Sequence, residues 1–147
     1  MSDESVGPFL SAAFFCEKLL DEKDGTLSAI RIVDQLTLVP SEIPLPEDKP
    51  STFPINILVK FSSHGVGGTR ELALMIKNPA GKEIELIKHP IIFQPEFSGF
   101  NFKLALNIGL KDAGVYWLSV LLDTQLFTQI PLTVVFQPKA GESSETS

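Results

Sequence analysis

The sequence predicts an all-β domain, an antiparallel β-sandwich of about 7–9 strands. Three observations predict it. Apolar side chains recur at every second residue through most of the chain. Turn signals rich in Gly, Pro, Asn and Asp separate these runs at short intervals. Between them lies no helical stretch of about ten residues, so the strands have no crossover helices and must pair with antiparallel neighbours. At 147 residues the chain suits one domain with a core of its own. We assign residues 1–139 to that domain and 140–147, "AGESSETS", to a polar disordered tail.

The first strand is expected over residues 10–20, "LSAAFFCEKLL". Leu10, Phe14 and Lys18 also share helical spacing, but the Phe-Phe-Cys run and the turn that follows favour a strand. "DEKDG" is that turn, with Asp24-Gly25 between two apolar runs, and "TLSAIRIVDQLTLV" is expected to run back as its partner. Residues 40–54 hold five prolines, a density that permits neither a helix nor a central strand; we expect a crossing loop within the domain.

Alternation then becomes regular. Phe53, Ile55, Ile57, Val59 and Phe61 form one face, with Pro54, Asn56 and Lys60 on the other. "SSHGVGG" reads as a turn, and Leu72, Leu74 and Ile76 line the next strand. "NPAGK" reads as a turn, followed by Ile84 and Leu86 pointing inward. "KHPIIFQPEFSG" reads as an irregular edge between Pro90 and Pro95. Phe100, Phe102, Leu104, Leu106 and Ile108 share one face, with Asn101, Lys103 and Asn107 on the wet side. Tyr116, Leu118, Val120 and Leu122 are expected inward, as are Ile130, Leu132, Val134 and Phe136, with a tight hairpin at Asp123-Thr124-Gln125.

Asp112, Gly114 and Tyr116 form D-x-G-x-Y at the head of a strand. This spacing resembles the start of the sixth strand of immunoglobulin-like sandwiches, whose Tyr hydroxyl bonds back to nearby backbone at a corner between the sheets. The resemblance implies a structural corner: the Asp112 carboxylate capping the turn, Gly114 taking its geometry, and Tyr116 placing a ring with a polar tip at the rim. Residue 118, where such domains carry an intersheet cysteine, is Leu, so the likeness is to the architecture and not to an antibody-type domain.

Gly114, Tyr116, Asp123, Pro131, Leu132 and Val134, with the opening "FLSAAFFCEKLLDEKDGTLSAIRIVDQLTL", also resemble a family of small bacterial β-sandwich proteins of unknown function. Thr124 stands where that pattern has Gly. The resemblance implies a sandwich over nearly the whole chain and brings no catalytic residues.

Net charge is −6, and all of it resides in residues 1–50, with ten acids and four bases; residues 51–147 hold eight of each. With no basic patch, nucleic acid is not an expected partner. No run approaches about 18 apolar residues and the N-terminus is acidic, so we expect no membrane span, no secretion signal and a cytoplasmic location.

No motif for catalysis, metal or cofactor stands out. Cys16, the single cysteine, lies in an apolar run and is expected to be a buried small hydrophobe. His64 and His89 would need to converge with Glu71 or Glu96 to hold a metal. The cluster of Asp21, Glu22 and Asp24 lacks the ligand spacing of a calcium loop. "HGVGG" lacks the Gly-Lys-Ser/Thr of a phosphate loop. We therefore expect a non-catalytic interaction or structural module, with a homodimer or another protein as partner. Trp117 and Leu121 point away from Tyr116 and form the expected interaction face. Trp117 beside Asn101 and Asn107 would favour a small-ligand or carbohydrate site. A buried histidine–carboxylate pair would favour a hydrolytic or metal-dependent enzyme.

Overall fold

The computed structural model describes residues 8–38, 51–63, 67–94 and 99–137. They form strands β1 (Phe9–Asp21), β2 (Leu27–Val33), β3 (Gln35–Leu38), β4 (Ser51–Ser62), β5 (Gly68–Lys77), β6 (Glu83–Phe93), β7 (Gly99–Leu110), β8 (Gly114–Leu122) and β9 (Gln125–Phe136). One sheet has the order β2-β1-β4-β7 and the other β3-β9-β8-β5-β6. The all-β class and the two-sheet sandwich follow directly. The expected tail at 140–147 lies outside the described residues.

The two-residue rhythm builds the core. Ile55, Ile57, Val59 and Phe61 of β4 meet Leu72, Leu74 and Ile76 of β5 and Tyr116, Leu118, Val120 and Leu122 of β8 in one buried cluster. Phe61 is its aromatic centre, edge-on to Phe93 at 6.0 Å and to Phe127 at 5.6 Å. Fully burying each such aliphatic or Phe side chain contributes roughly 1.5–3 kcal/mol before entropy is counted.

Three expectations need correction. The run 26–39 is not one strand: β2 stays beside β1, the chain bends at Asp34, and β3 joins the other sheet. There β3 pairs parallel to β9, from Gln35 opposite Thr133 to Leu38 opposite Phe136, so the sandwich is not wholly antiparallel. The transfer is secured by Thr133 N–H donating to Asp34 O at 3.0 Å and by Leu36 entering the core. Second, the proline-rich stretch does not exclude a central strand throughout, because β4 begins at Ser51 and includes Pro54. Its ladder with β1 ends at Asn56, so Pro54 has a neighbour only in β7 and its missing N–H is tolerated. Third, the stretch read as an irregular edge between Pro90 and Pro95 does form a sheet edge, but Pro90 lies within the strand, and β6 pairs with β5 without a register shift from Ile87 to Phe93. Residues 39–50 and 95–98 lie outside the described residues.

Beyond Cys16 the β1–β2 hairpin leaves β4 and becomes an arm. Arg31 takes a left-handed φ of 59° at this level, which bends the pair. The Asn56 side-chain amide donates to Glu17 O at 2.9 Å, and Lys103 Nζ reaches Asp21 at 2.9 Å. Asn56 and Lys103 stand on the outer face of the four-stranded sheet, so the arm leans across that face. Leu58 and Cys16, outside the core cluster, are buried there. Burial raises the Cys16 thiol above its ordinary pKa, opposed by a hydrogen bond from the Lys18 backbone.

Candidate functional site: the outer face around Trp117

Strand β8 divides its side chains between two environments. Tyr116, Leu118, Val120 and Leu122 point into the core, while Val115, Trp117, Ser119 and Leu121 take the outer face of the five-stranded sheet. Trp117 lies opposite Pro131 on β9 and Lys77 on β5. Leu121 lies opposite Ala73 and Leu126, and Ser119 opposite Met75 and Gln129. The result is an apolar stripe with one polar contact at its centre, Gln129 Nε2 donating to Ser119 Oγ at 3.0 Å.

The stripe is open toward the head of β8 and at Leu126, while Ser119 at its centre is buried and Leu121 is part-buried. Trp117 is 40% exposed, Val115 37% and Leu126 50%. Among the described residues Pro131 pairs with β8 alone, because β3 begins its ladder only at Thr133, so the proline costs no hydrogen bond there.

Asn101 and Asn107 are not part of this stripe. Both lie on β7, in the other sheet, opposite Lys60 and Pro54. Asn101 Oδ1 accepts from Lys60 Nζ at 3.3 Å. The two asparagines and Trp117 are therefore not brought together.

At the head of β8, Tyr116 donates its hydroxyl proton to Asp112 O at 2.8 Å and accepts from Asp112 N–H at 3.3 Å. Asp112 thus serves the corner with its main chain rather than the carboxylate cap read from the sequence. Burial raises the Tyr116 pKa; the Asp112 carboxylate's charge adds to this, and hydrogen bonds from backbone N–H groups oppose it. Gly114 takes φ 133°, and a Cβ there would lie 2.9 Å from two side-chain carbons of Pro79.

The other candidates that lie among the described residues do not converge. His89 is exposed on β6, its ring 6.2 Å from that of Phe102. His64 and Glu96 lie outside the described residues. Asp24 is held within its own turn: Thr26 Oγ1 and N–H donate to Asp24 Oδ1 at 2.7 and 3.0 Å, which lowers its pKa. Asp21 pairs with Lys103 across the arm. Among the described residues no group of three or more His, Cys, Asp and Glu could hold a metal ion. Among them, too, no helix is long and apolar enough to cross a membrane.

A residue that sequence reasoning left without a side-chain role is Asp123. Its carboxylate accepts from Glu71 N–H at 2.9 Å and from Arg70 at 3.4 Å, and its own N–H donates to Glu71 O at 2.8 Å. No local signal could have found this, because the partners are about fifty residues away.

No family model matches the chain, and no curated protein matches it. Among solved structures, an immunoglobulin-like protein from Pseudomonas aeruginosa is 11% identical with TM-score 0.41, covering 88% of this chain and 97% of that one. A β-glucosidase from Listeria innocua in complex with glucose is 8% identical with TM-score 0.44, covering 84% of this chain and 16% of that one. The alkylpurine DNA glycosylase AlkC of Pseudomonas fluorescens, bound to DNA containing an abasic site analog, is 10% identical with TM-score 0.42, covering 84% and 30%. The chain thus spans only a minor part of the two enzymes it matches.

Proposed function

We propose that the chain is a non-catalytic, immunoglobulin-like interaction module, and that the outer face of its five-stranded sheet meets a protein partner. The observation that carries this reading is Trp117, the chain's single tryptophan, 40% exposed within an apolar stripe. Exposed aromatics flanked by aliphatics are the usual energetic centres of protein interfaces. The contrast with the other sheet supports it, because the β1–β2 arm leans over that sheet's outer face. The carbohydrate reading needed Trp117 beside Asn101 and Asn107, and their separation removes its support.

A second copy of the chain is the first partner to test. Light scattering at two concentrations, with wild type and Trp117→Ala, measures it. The expected result is a wild-type mass that rises with concentration and a variant that remains monomeric with the same unfolding midpoint. A wild type that stays monomeric throughout, and whose captured partners are unchanged by the substitution, would overturn the reading.

A further inference from the structure

Strands β6 and β7 meet along one side of the sandwich without sharing a ladder, since each ends its own sheet. Rings close one half of this seam: Phe93 packs on Phe100 at 6.0 Å, and His89 on Phe102 at 6.2 Å. Along the other half the facing positions are aliphatic, Ile84 and Leu86 on β6 and Leu106 and Ile108 on β7. There the seam opens into a cleft of about 330 Å³. That is at the lower end of small-ligand pockets, roughly 300–1,000 Å³.

Two local features build the cleft. The β5–β6 register shifts at Leu74/Met75, which leaves Leu86 as the extra residue of a bulge and re-aims it along the edge. The β5–β6 turn holds Lys82 at the mouth: Lys82 N–H donates to Asn78 Oδ1 at 2.8 Å, and Asn78 N–H to Lys82 O at 2.9 Å. Ile84 is 50% exposed because it borders the opening. Tyr116 also lines the cleft, but its hydroxyl is engaged by Asp112.

The charge around the opening runs against that of the molecule. The chain carries −6, yet the lining includes Lys82 and Lys111 against one acid, Asp112. The Tyr116 ring is only 5% exposed and its hydroxyl is engaged, so the cleft offers no open aromatic platform for a sugar, and it has no paired acids for a cation. We propose that this cleft binds a small amphipathic anion, its aliphatic part between Ile84, Leu86, Leu106 and Ile108 and its carboxylate at Lys82. This site is separate from the Trp117 face and does not depend on it.

Octanoate is the probe, with octylamine as a control of the same length and opposite charge. NMR titration of the full chain, read at side-chain methyls and at the indole N–H, is expected to show saturable octanoate shifts at Ile84 and Leu106, with the Trp117 indole unmoved. Octylamine should bind more weakly. Lys82→Glu, at an exposed turn, should weaken octanoate by roughly three- to tenfold at low salt. Leu106→Phe should fill the cleft and abolish binding; if that variant does not fold, Ile84→Phe serves at the exposed rim. No saturable binding, equal binding of both probes, or binding unchanged in a folded cleft-filled variant would each overturn the proposal.

Discussion

The two ends of β8 carry the same kind of residue in opposite roles. At its head, Asp112 supplies backbone N–H and C=O groups to the Tyr116 hydroxyl. At its tail, Asp123 supplies a carboxylate to the Glu71 N–H and to Arg70 of β5. The head is organised by a ring four residues on that folds back to the turn's main chain, so the turn's side chain is dispensable. The tail is organised by the turn's side chain reaching a neighbouring strand. An aspartate in a turn therefore has no fixed meaning; what it contributes depends on which polar groups the strands leave within its reach.

The most damaging way to break the head is to fill it. Gly114→Ala puts a Cβ on a backbone with φ 133° and drives it to 2.9 Å from Pro79. We expect a loss of about 2–4 kcal/mol. Denaturant unfolding measures it, and a loss below about 1 kcal/mol would mean that the turn relaxes freely.

Exchanging each aspartate for Ala tests the comparison itself. Asp123→Ala removes two side-chain acceptor contacts and should cost about 1.5 kcal/mol. Asp112→Ala leaves the main-chain bonds intact and should stay within about 0.5 kcal/mol of wild type. Equal losses in urea titrations of the two variants would erase the distinction drawn here.

Tyr116→Phe probes the head from the ring's side and should cost about 1 kcal/mol at neutral pH. Its signature is the alkaline limb. Burial raises the folded-state phenol pKa above its ordinary value of 10.0. Below that ordinary value both states hold the proton and the contribution is complete. As pH rises past it, the unfolded chain ionises first, and stability falls until the folded phenol also titrates. The difference in stability between wild type and Tyr116→Phe should therefore shrink with rising alkaline pH. Because Tyr116 is the chain's single tyrosine, tyrosinate absorbance follows its titration directly. A folded-state midpoint at or below the ordinary value would refute the burial argument.

The sequence made the sandwich legible because period-two alternation and turn chemistry are local. Phe53 to Phe61, Tyr116 to Leu122 and the D-x-G-x-Y corner all follow from neighbours in the chain. The break at Asp34 was not legible, since 26–39 alternates plausibly on both sides and only the vacant edge of β9 draws Leu36 into the other sheet. Proline density misled at Pro54 for a related reason: whether a strand accepts proline depends on its second neighbour, and β1 has already turned away. The outward direction of Trp117 was readable from parity alone. Its separation from Asn101 and Asn107 was not, because parity does not say which sheet a strand joins.

The tail of β8 offers the smallest change, and one of opposite sign. Leu122 pairs with Gln125, so Asp123 and Thr124 are the two residues of the loop, with φ of 50° and 66°. Two left-handed residues in a two-residue loop define a type I′ turn, whose twist suits the strands and whose second position favours Gly. Threonine is poorly suited there, because its branched Cβ crowds the backbone and a left-handed residue costs roughly 1–2 kcal/mol. Thr124→Gly removes that cost. It also frees the unfolded chain, which returns about 0.4–1 kcal/mol, and it removes the hydroxyl that donates to Asp123 O. The balance should favour the variant by about 0.5 kcal/mol, read as a higher urea midpoint with an unchanged slope. A lower midpoint would mean that the Thr124 hydroxyl bond outweighs the backbone strain, and the tail, like the head, would then be held by a hydroxyl bonded to an aspartate carbonyl.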